Sequence, residues 1–310
     1  MSTSEPTGEF AYIEWLRRVT PAAVGVVVGP GDDTAVLRPP RGPLLVTTDM
    51  LLEGSCFRVA EAGPFRVGRK AIAVNLSDMA AVAGIPTAAV ISVGLPQTGD
   101  RELAEQLYLG MRDAADAFGV PLVGGDTNSW DGPLAISIAL LGEATGRGPV
   151  LRSGAKVGDW VLVTGPLGGS ILGHHLDFTP RVREALKLHE LADLHAMIDL
   201  SDGLGRDLYH ICAASRCGAV VFADAVPITE AARELAARDG RPPLDHALSD
   251  GEDFELLFAV PAADGERLLR EQPVPGITIC RIGEIVADGY WLERAGNRER
   301  LEPRGYEHGL

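Results

Sequence analysis

The segment from residue 31 to residue 53 constrains this chain more than any other. It contains two apolar runs separated by a turn rich in proline and glycine, a pattern that predicts a β-hairpin. Acidic residues stand at the strand ends: Asp32 and Asp33 precede the first strand, and Asp49 closes the second. Crowded carboxylates repel unless they are protonated or bridged by cations, and Mg²⁺ prefers clustered oxygen ligands. The segment therefore indicates either a Mg²⁺ site or a solvated acidic loop.

The length of 310 residues is long for a single core and favours two domains. A content of 46% hydrophobic and 23% charged residues is typical of a globular protein. The stretch Gly146-Arg147-Gly148-Pro149 is the natural boundary, which predicts domains over residues 1–148 and 149–310.

The net charge of −15 argues against a nucleic-acid partner, because no cluster of lysine and arginine is present to replace counterions. An acidic protein that handles anionic phosphates needs metal ions as intermediaries. The polar N-terminus has no apolar core for a signal peptide, and the most apolar segment, residues 80–95, is too short to span a bilayer. The four cysteines show no CxxC pairing, which predicts reduced thiols and a cytoplasmic protein.

In the first half, apolar periodicity predicts helices over residues 10–19, 64–83 and 101–118, the last one capped by Asp100. Asn75 and Asp78 lie three residues apart on one face of the second helix, so Asp78 is either at a solvated edge or a ligand. A strand over residues 120–123 leads into Gly124-Gly125-Asp126-Thr127. Paired glycines at a strand end allow backbone amides to approach a phosphate, although a tight turn explains them equally well.

In the second half, a strand over residues 161–164 and a glycine loop over 165–170 precede a helix, an arrangement typical of either an anion site or a linker turn. Residues 197–199 form a strand that ends in Asp199-Leu200-Ser201-Asp202 and runs into a helix. Capping of that helix by Ser201 or Asp202 explains one acid but not two. Four further acids occupy the turn over residues 249–255. The helix over 262–271 and the strand over 277–282 are predicted to be structural.

Seven motifs in order give the chain a specific resemblance to the thiamine-monophosphate kinase family, in the superfamily of aminoimidazole ribonucleotide synthetase and selenophosphate synthetase. The resemblance covers nearly the whole chain. The motifs are GDDTAVL at 31–37, TTDMLLEG at 47–54, KAIAVNLSDMAA at 70–81, GGDT at 124–127, RSGAKVGDW at 152–160, IDLSDGL at 198–204 and GEDFELLF at 251–258.

The resemblance implies a two-domain α/β (α+β) fold like that of aminoimidazole ribonucleotide synthetase. Its N-terminal strands would form a barrel across a homodimer, and its C-terminal domain would close over the nucleotide. By motif match, the residues implied to hold several Mg²⁺ ions are Asp32, Thr47, Thr48, Asp49, Asp78, Asp126, Asp199 and Asp202. Those implied to contact ATP are Gly125, Asp126, Arg152 and Ser201, and those implied to lie near the thiamine moiety are Glu252 and Tyr306. Cys56, seven residues past Asp49, is a further candidate for the acceptor site.

Two positions depart from the family pattern. Cys56 stands where the family usually has a substrate-contacting histidine, and Gly169 stands where it usually has an acid. Both departures bear on the acceptor more than on ATP or the metals.

The implied reaction moves the γ-phosphoryl group of ATP to the phosphate of thiamine monophosphate. The second pKa of such a phosphate is about 6, so the attacking oxygen is already deprotonated at neutral pH and no catalytic base is expected. One alternative is a synthetase of the same superfamily with another acceptor, but this chain lacks the C-terminal cysteine of the hydrogenase-maturation branch and the N-terminal cysteine of the selenophosphate branch. The other alternative is a non-catalytic nucleotide sensor, against which the intact set of acids argues.

Overall fold

The computed structural model describes residues 9–30 and 34–307, and the chain divides into two compact units. The first unit comprises Met1–Asn75 and Ile85–Gly146, and the second comprises Leu76–Gly84 and Arg147–Leu310. The expected ligand Asp32 lies outside the described residues. Among the helices that are described, none is long and apolar enough to cross a membrane.

A four-stranded sheet with two long helices forms most of the first unit. The elements from its start to its end are α1 (Glu9–Val19), β1 (Val26–Val28), β2 (Val36–Leu37), β3 (Leu44–Leu52), α2 (Val59–Ala62), α3 (Pro64–Ala81), β4 (Gly84–Pro96), α4 (Arg101–Ala117), β5 (Leu122–Trp130) and β6 (Ala135–Ala144). The sheet has the order β3-β6-β4-β5, while β1 and β2 pair separately. As predicted, Asp100 caps α4, because its side chain accepts a hydrogen bond from the Leu103 amide at 2.9 Å. The last six residues of α3 belong to the second unit.

The predicted hairpin of β2 with β3 is wrong. β2 pairs with β1 instead, and β3 pairs antiparallel with β6 over nine residues, from Leu44↔Glu143 to Leu52↔Ala135. A proline-rich turn shows where the chain changes direction but does not identify the partner of the strand that follows. The partner is set by the alternation of side chains along β3, which matches β6 over its full length.

The tight turn that was the alternative for residues 124–127 is also wrong, because these residues lie inside β5. They run parallel to β4, with Gly125 opposite Ile91 and Asp126 opposite Ser92. A Cβ atom on Gly125 would lie 1.9 Å from the Ile91 carbonyl oxygen. The close approach of the two strands therefore requires glycine at position 125.

One face of the β3–β6 pair is covered and the other is exposed and apolar. Ile136, Ile138 and Leu140 of β6 are buried on the covered face. On β3 the opposite face carries residues that are 43–65% exposed, namely Leu44, Val46, Met50 and Leu52. This group is called the apolar face below.

The second unit is built on a seven-stranded sheet of order β13-β12-β9-β11-β7-β10-β8. Its strands are β7 (Trp160–Val163), β8 (Ala196–Asp199), β9 (Gly218–Phe222), β10 (Leu256–Val260), β11 (Cys280–Val286), β12 (Tyr290–Arg294) and β13 (Asn297–Arg300). Its helices are α5 (His174–Asp177), α6 (Val182–Leu191), α7 (Leu204–Ser215), α8 (Glu230–Asp239), α9 (Pro243–Ser249) and α10 (Ala262–Glu271), with short 3₁₀ turns at Ser170–Leu172 and Ala223–Ala225.

The core of the second unit lies between one face of this sheet and two helices. Val161, Ile198 and Leu257 of the central strands pack in one cluster with Leu208 of α7 and Leu244 of α9. This packing fixes the end of β8 and the start of α7, and the segment between them carries Ser201 and Asp202.

Candidate functional site

Three distant segments of the second unit converge at the end of β8. The Glu252 amide donates a hydrogen bond to the Ser201 carbonyl at 2.8 Å, and the Tyr306 amide donates to the Asp202 carbonyl at 3.0 Å. Four of the residues chosen from the sequence, Ser201, Asp202, Glu252 and Tyr306, are thus brought together by backbone contacts. Tyr306 is 47% exposed.

The segment between β8 and α7 is held by Asp207 of the helix. Its Oδ2 accepts hydrogen bonds from the amides of Asp202 and Gly203, both at 3.0 Å. The helix begins after Gly203 without a side-chain cap, so neither Ser201 nor Asp202 serves as the cap that the sequence allowed. The cap alternative for Asp202 is therefore wrong.

Carboxylates crowd around this segment. Burial, followed by the nearby Asp199 and Asp202 carboxylates, raises the pKa of Asp207 to about 8. Among the described residues, Asp202, Asp207 and His210 each offer a ligand atom within 4.8 Å of the others. Such crowding favours a cation, and the carboxylate oxygens suit Mg²⁺. Asp207 and His210 are not among the residues predicted from the sequence, although their i, i+3 spacing on a helix directly after Asp202 was a readable signal.

Asp199 and the end of α3 meet within the second unit. The Ser77 hydroxyl donates a hydrogen bond of 2.6 Å to Oδ2 of Asp199, and both residues are buried. Asp78 follows Ser77 on the same helix. A backbone hydrogen bond joins the residue that follows α3 to the start of the second half of the chain, from the Val150 amide to the Val82 carbonyl at 3.0 Å.

The backbone of Arg152 is held by Ser215, the last residue of α7. The Ser215 hydroxyl donates a hydrogen bond to the Arg152 carbonyl at 3.2 Å. It accepts hydrogen bonds from the amides of Gly154 and Ala155, both at 3.1 Å. Burial and then the Arg152 charge lower the pKa of His210. The Ser215 hydroxyl therefore fixes the backbone of the segment that carries Arg152.

In the first unit, the residues chosen from the sequence lie on opposite edges of the sheet. Asp49 is on β3 and Asp126 is on β5, and the other two strands lie between them. Three spacings of about 4.8 Å separate the edge strands, whereas Mg²⁺ takes oxygen ligands at about 2.1 Å. The sheet of one chain therefore does not bring the two carboxylates to one ion.

The strand alternation also separates neighbours on β3. Thr48 belongs to the more exposed side of the strand, and Thr47 and Asp49 belong to the other side. The three side chains consequently do not form one ligand set.

Gly125 and Asp126 line a cavity of about 1060 Å³ within the first unit. Tyr12 and Leu16 of α1 and Ser92 of β4 line the same cavity. Its volume lies slightly above the range of about 300–1,000 Å³ that is typical of small-molecule sites.

Cys56 is half-buried just after β3, and its carbonyl oxygen accepts a hydrogen bond. The fully buried Lys70 of α3 donates a hydrogen bond from Nζ to the Cys56 carbonyl at 2.8 Å. Glu53 is structural, because its carboxylate accepts hydrogen bonds from the backbone amides of Val59 at 3.2 Å and Leu134 at 3.3 Å. Glu53, the last residue of the segment over residues 31–53, thus stabilises a turn.

The glycine loop after β7 does not act as an anion cradle. The Gly168 amide donates to Asp253 Oδ1 at 2.8 Å, and the Gly169 amide donates to Asp250 Oδ2 at 3.3 Å. Gly169 has φ +77°, and a Cβ atom there would lie 2.4 Å from the Ala232 amide nitrogen. The acid that the family pattern carries at this position has no space in this chain.

Comparisons with known proteins agree with these motifs. Residues 31–144 match the family described as "AIR synthase related protein, N-terminal domain", and residues 156–291 match the corresponding C-terminal domain. A thiamine-monophosphate kinase of Rhodopirellula baltica is 42% identical to the chain over 97% of both sequences.

Solved structures agree as well. The crystal structure of a thiamine-monophosphate kinase from Stenotrophomonas maltophilia K279a has a TM-score of 0.80 at 35% identity, over 92% of this chain and 96% of that one. The structure of AaThiL complexed with AMPPCP and TMP has a TM-score of 0.76 at 29% identity, over 99% and 100% of the two chains.

Proposed function

The chain belongs to the AIR synthase related family and, within it, to the thiamine-monophosphate kinases, and from this membership we propose that it phosphorylates thiamine monophosphate with ATP. The products are thiamine diphosphate and ADP. The observation that carries the proposal is the 42% identity over 97% of both sequences. The complex of a relative with AMPPCP, an analogue of ATP, and TMP supports the same pair of substrates.

The chemistry requires positioning more than proton transfer. The acceptor phosphate has a second pKa of about 6, so its attacking oxygen is already an anion at neutral pH. The barrier comes from repulsion between two anionic phosphates, and Mg²⁺ supplies the charge that offsets it. Asp78, Asp199 and Asp202 are the residues of the second unit that we propose hold this ion, and the crowding of carboxylates around Asp207 supports that assignment.

The proposed ligand contacts follow the two units. In the first unit, the cavity beside Gly125 and Asp126 supports a nucleotide site there. Thr47, Thr48, Asp49 and Asp126 stay proposed metal contacts, but not as ligands that one chain brings to a single ion. In the second unit, Arg152 and Ser201 would contact ATP, while Glu252 and Tyr306 would contact the thiamine moiety. Cys56 is proposed for the acceptor site because it lies in the turn directly after the TTDMLLEG segment. The domain boundary near residue 148 and the cytoplasmic location stay predictions from the sequence.

We also propose that two copies of the chain form a homodimer through the apolar face. Leu44, Val46, Met50 and Leu52 expose a row of apolar side chains that a second sheet would cover. Pairing the edge strands of two four-stranded sheets would close a barrel and remove their open edges.

The first test is the formation of ADP by the full chain with ATP, Mg²⁺ and thiamine monophosphate. We expect ADP release that depends on the acceptor and yields thiamine diphosphate. Asp199→Asn should lower kcat by about 100-fold or more, since metal-held charge is worth several kcal/mol in such reactions. The matched control is Asp224→Asn, which removes an exposed carboxylate of the second unit and should leave kcat unchanged. ADP release that ignores the acceptor would contradict the proposal.

A further inference from the structure

We propose that Ser77 is a positioning residue that orients the Asp199 carboxylate as a Mg²⁺ ligand. The identity of the metal rests on the proposed function. The role of Ser77 is not evident from the residues around it in the sequence. Ser77 would not contact a substrate. It would act through Asp199.

The contact has the geometry of a hydrogen bond to an ionised group. The Ser77 hydroxyl lies 2.6 Å from Asp199 Oδ2, within the range of about 2.5–2.7 Å for O–H···O⁻ bonds. Ser77 is 1% exposed and Asp199 is 3% exposed, so water does not compete for the bond. Both residues belong to the second unit, and they come from segments 122 residues apart.

The direction of the bond is informative. A serine inside a helix usually turns its hydroxyl back to a carbonyl of the preceding turn. Ser77 lies within α3 and donates to a carboxylate at the end of β8 instead. The bond to Oδ2 restricts the rotation of the Asp199 carboxylate. Metal-binding carboxylates depend on such outer partners for their orientation.

The same contact lies beside both copies of a repeated tripeptide. Leu-Ser-Asp occurs at residues 76–78 and again at 200–202. The Ser77 bond places the first copy beside Asp199, the residue directly before the second copy. Both acids that end the tripeptides, Asp78 and Asp202, are proposed ligands. The hydroxyl therefore joins the two segments that supply the carboxylates.

The test measures metal binding directly. Mn²⁺ replaces Mg²⁺ in the presence of AMPPCP, and the free Mn²⁺ is followed by electron paramagnetic resonance with the full chain. We expect Ser77→Ala to weaken Mn²⁺ binding by about tenfold or more, the usual effect of removing an outer partner of a ligand. The loss of kinase activity should be recovered at high Mg²⁺ concentration, which a general packing defect would not allow.

The control is Thr229→Ala, which also removes a hydroxyl in the second unit. Thr229 caps α8 by accepting the Ala232 amide at 2.9 Å, so its loss should lower the melting temperature without changing Mn²⁺ affinity. If Ser77→Ala does not fold, Ser77→Cys keeps the volume and replaces a strong donor by a weak one. A folded variant of either kind that binds Mn²⁺ within twofold of the unchanged chain would overturn the proposal.

The outcomes separate this proposal from the proposed function. If Mn²⁺ affinity depends on Ser77 but ADP release ignores thiamine monophosphate, the acceptor is wrong and the role of Ser77 stands. If thiamine diphosphate forms and Ser77→Ala leaves metal affinity unchanged, the role of Ser77 is wrong and the kinase stands. Failure of the unchanged chain to bind Mn²⁺ with AMPPCP would overturn the role of Ser77 as well.

Discussion

At the scale of single residues, the acids near the end of β8 differ in what their oxygens contact. Asp250 and Asp253 accept amides of the glycine loop, and Glu255 is bound by both Arg181 and the Thr164 hydroxyl. Three of the four acids over residues 249–255, Asp250, Asp253 and Glu255, therefore stabilise the fold. The sequence showed that the acids were clustered, but it could not show which amides would reach them.

A buried histidine of α6, His189, gives a prediction about pH. The Nε2 atom of His189 lies 3.0 Å from the Gly148 carbonyl, which can only accept, so Nε2 carries the proton. The Nδ1 atom has no partner among the described residues. Burial lowers the pKa of His189, so between its folded pKa and about 6.5 the unfolded chain binds more protons than the folded one. Stability contributed by His189 is therefore lost as the pH falls through that window.

We expect His189→Gln to reduce this loss, because an amide can donate to Gly148 and does not titrate. Urea unfolding at pH 5, 6 and 7 should show a smaller fall in unfolding free energy for the variant than for the unchanged chain. Equal slopes in both proteins would show that His189 is protonated in the folded state without cost.

At the scale of elements, the end of α7 positions the segment that carries Arg152. Ser215 makes three hydrogen bonds to the backbone of residues 152–155 and touches no proposed ligand group. We expect Ser215→Ala to raise KM for ATP by roughly fivefold, as one net hydrogen bond is worth about 1 kcal/mol, with little change in kcat. Ser215→Thr keeps the hydroxyl and should restore KM. Steady-state kinetics with ATP and the acceptor varied in turn would test this, and an equal rise in both constants would contradict it.

At the scale of the whole molecule, local patterns predicted elements well and their partners poorly. The cap of α4 by Asp100 and the extent of α10 were confirmed, because both depend on residues within a few positions of one another. The pairing of β3 with β6 and the inclusion of Gly125 in β5 were missed, because both depend on strands distant in sequence. The motifs identified the family through residue identity alone, and identity does not show that Ser77 reaches Asp199.

The apolar face gives the last prediction. Met50 of the apolar face is 65% exposed. Val24, which serves as the control position, is fully exposed on a segment outside the sheet. If a second copy covers this face, Met50→Lys buries an unpaired charge and should raise the dissociation constant of the dimer by about 100-fold or more. Light scattering at micromolar concentration should then change from twice the chain mass of 32.8 kDa to that mass. Val24→Lys adds the same charge away from the face and should remain dimeric.

The proposed dimer would be wrong if the unchanged chain has the mass of one copy, and the choice of face would be wrong if both variants stay dimeric.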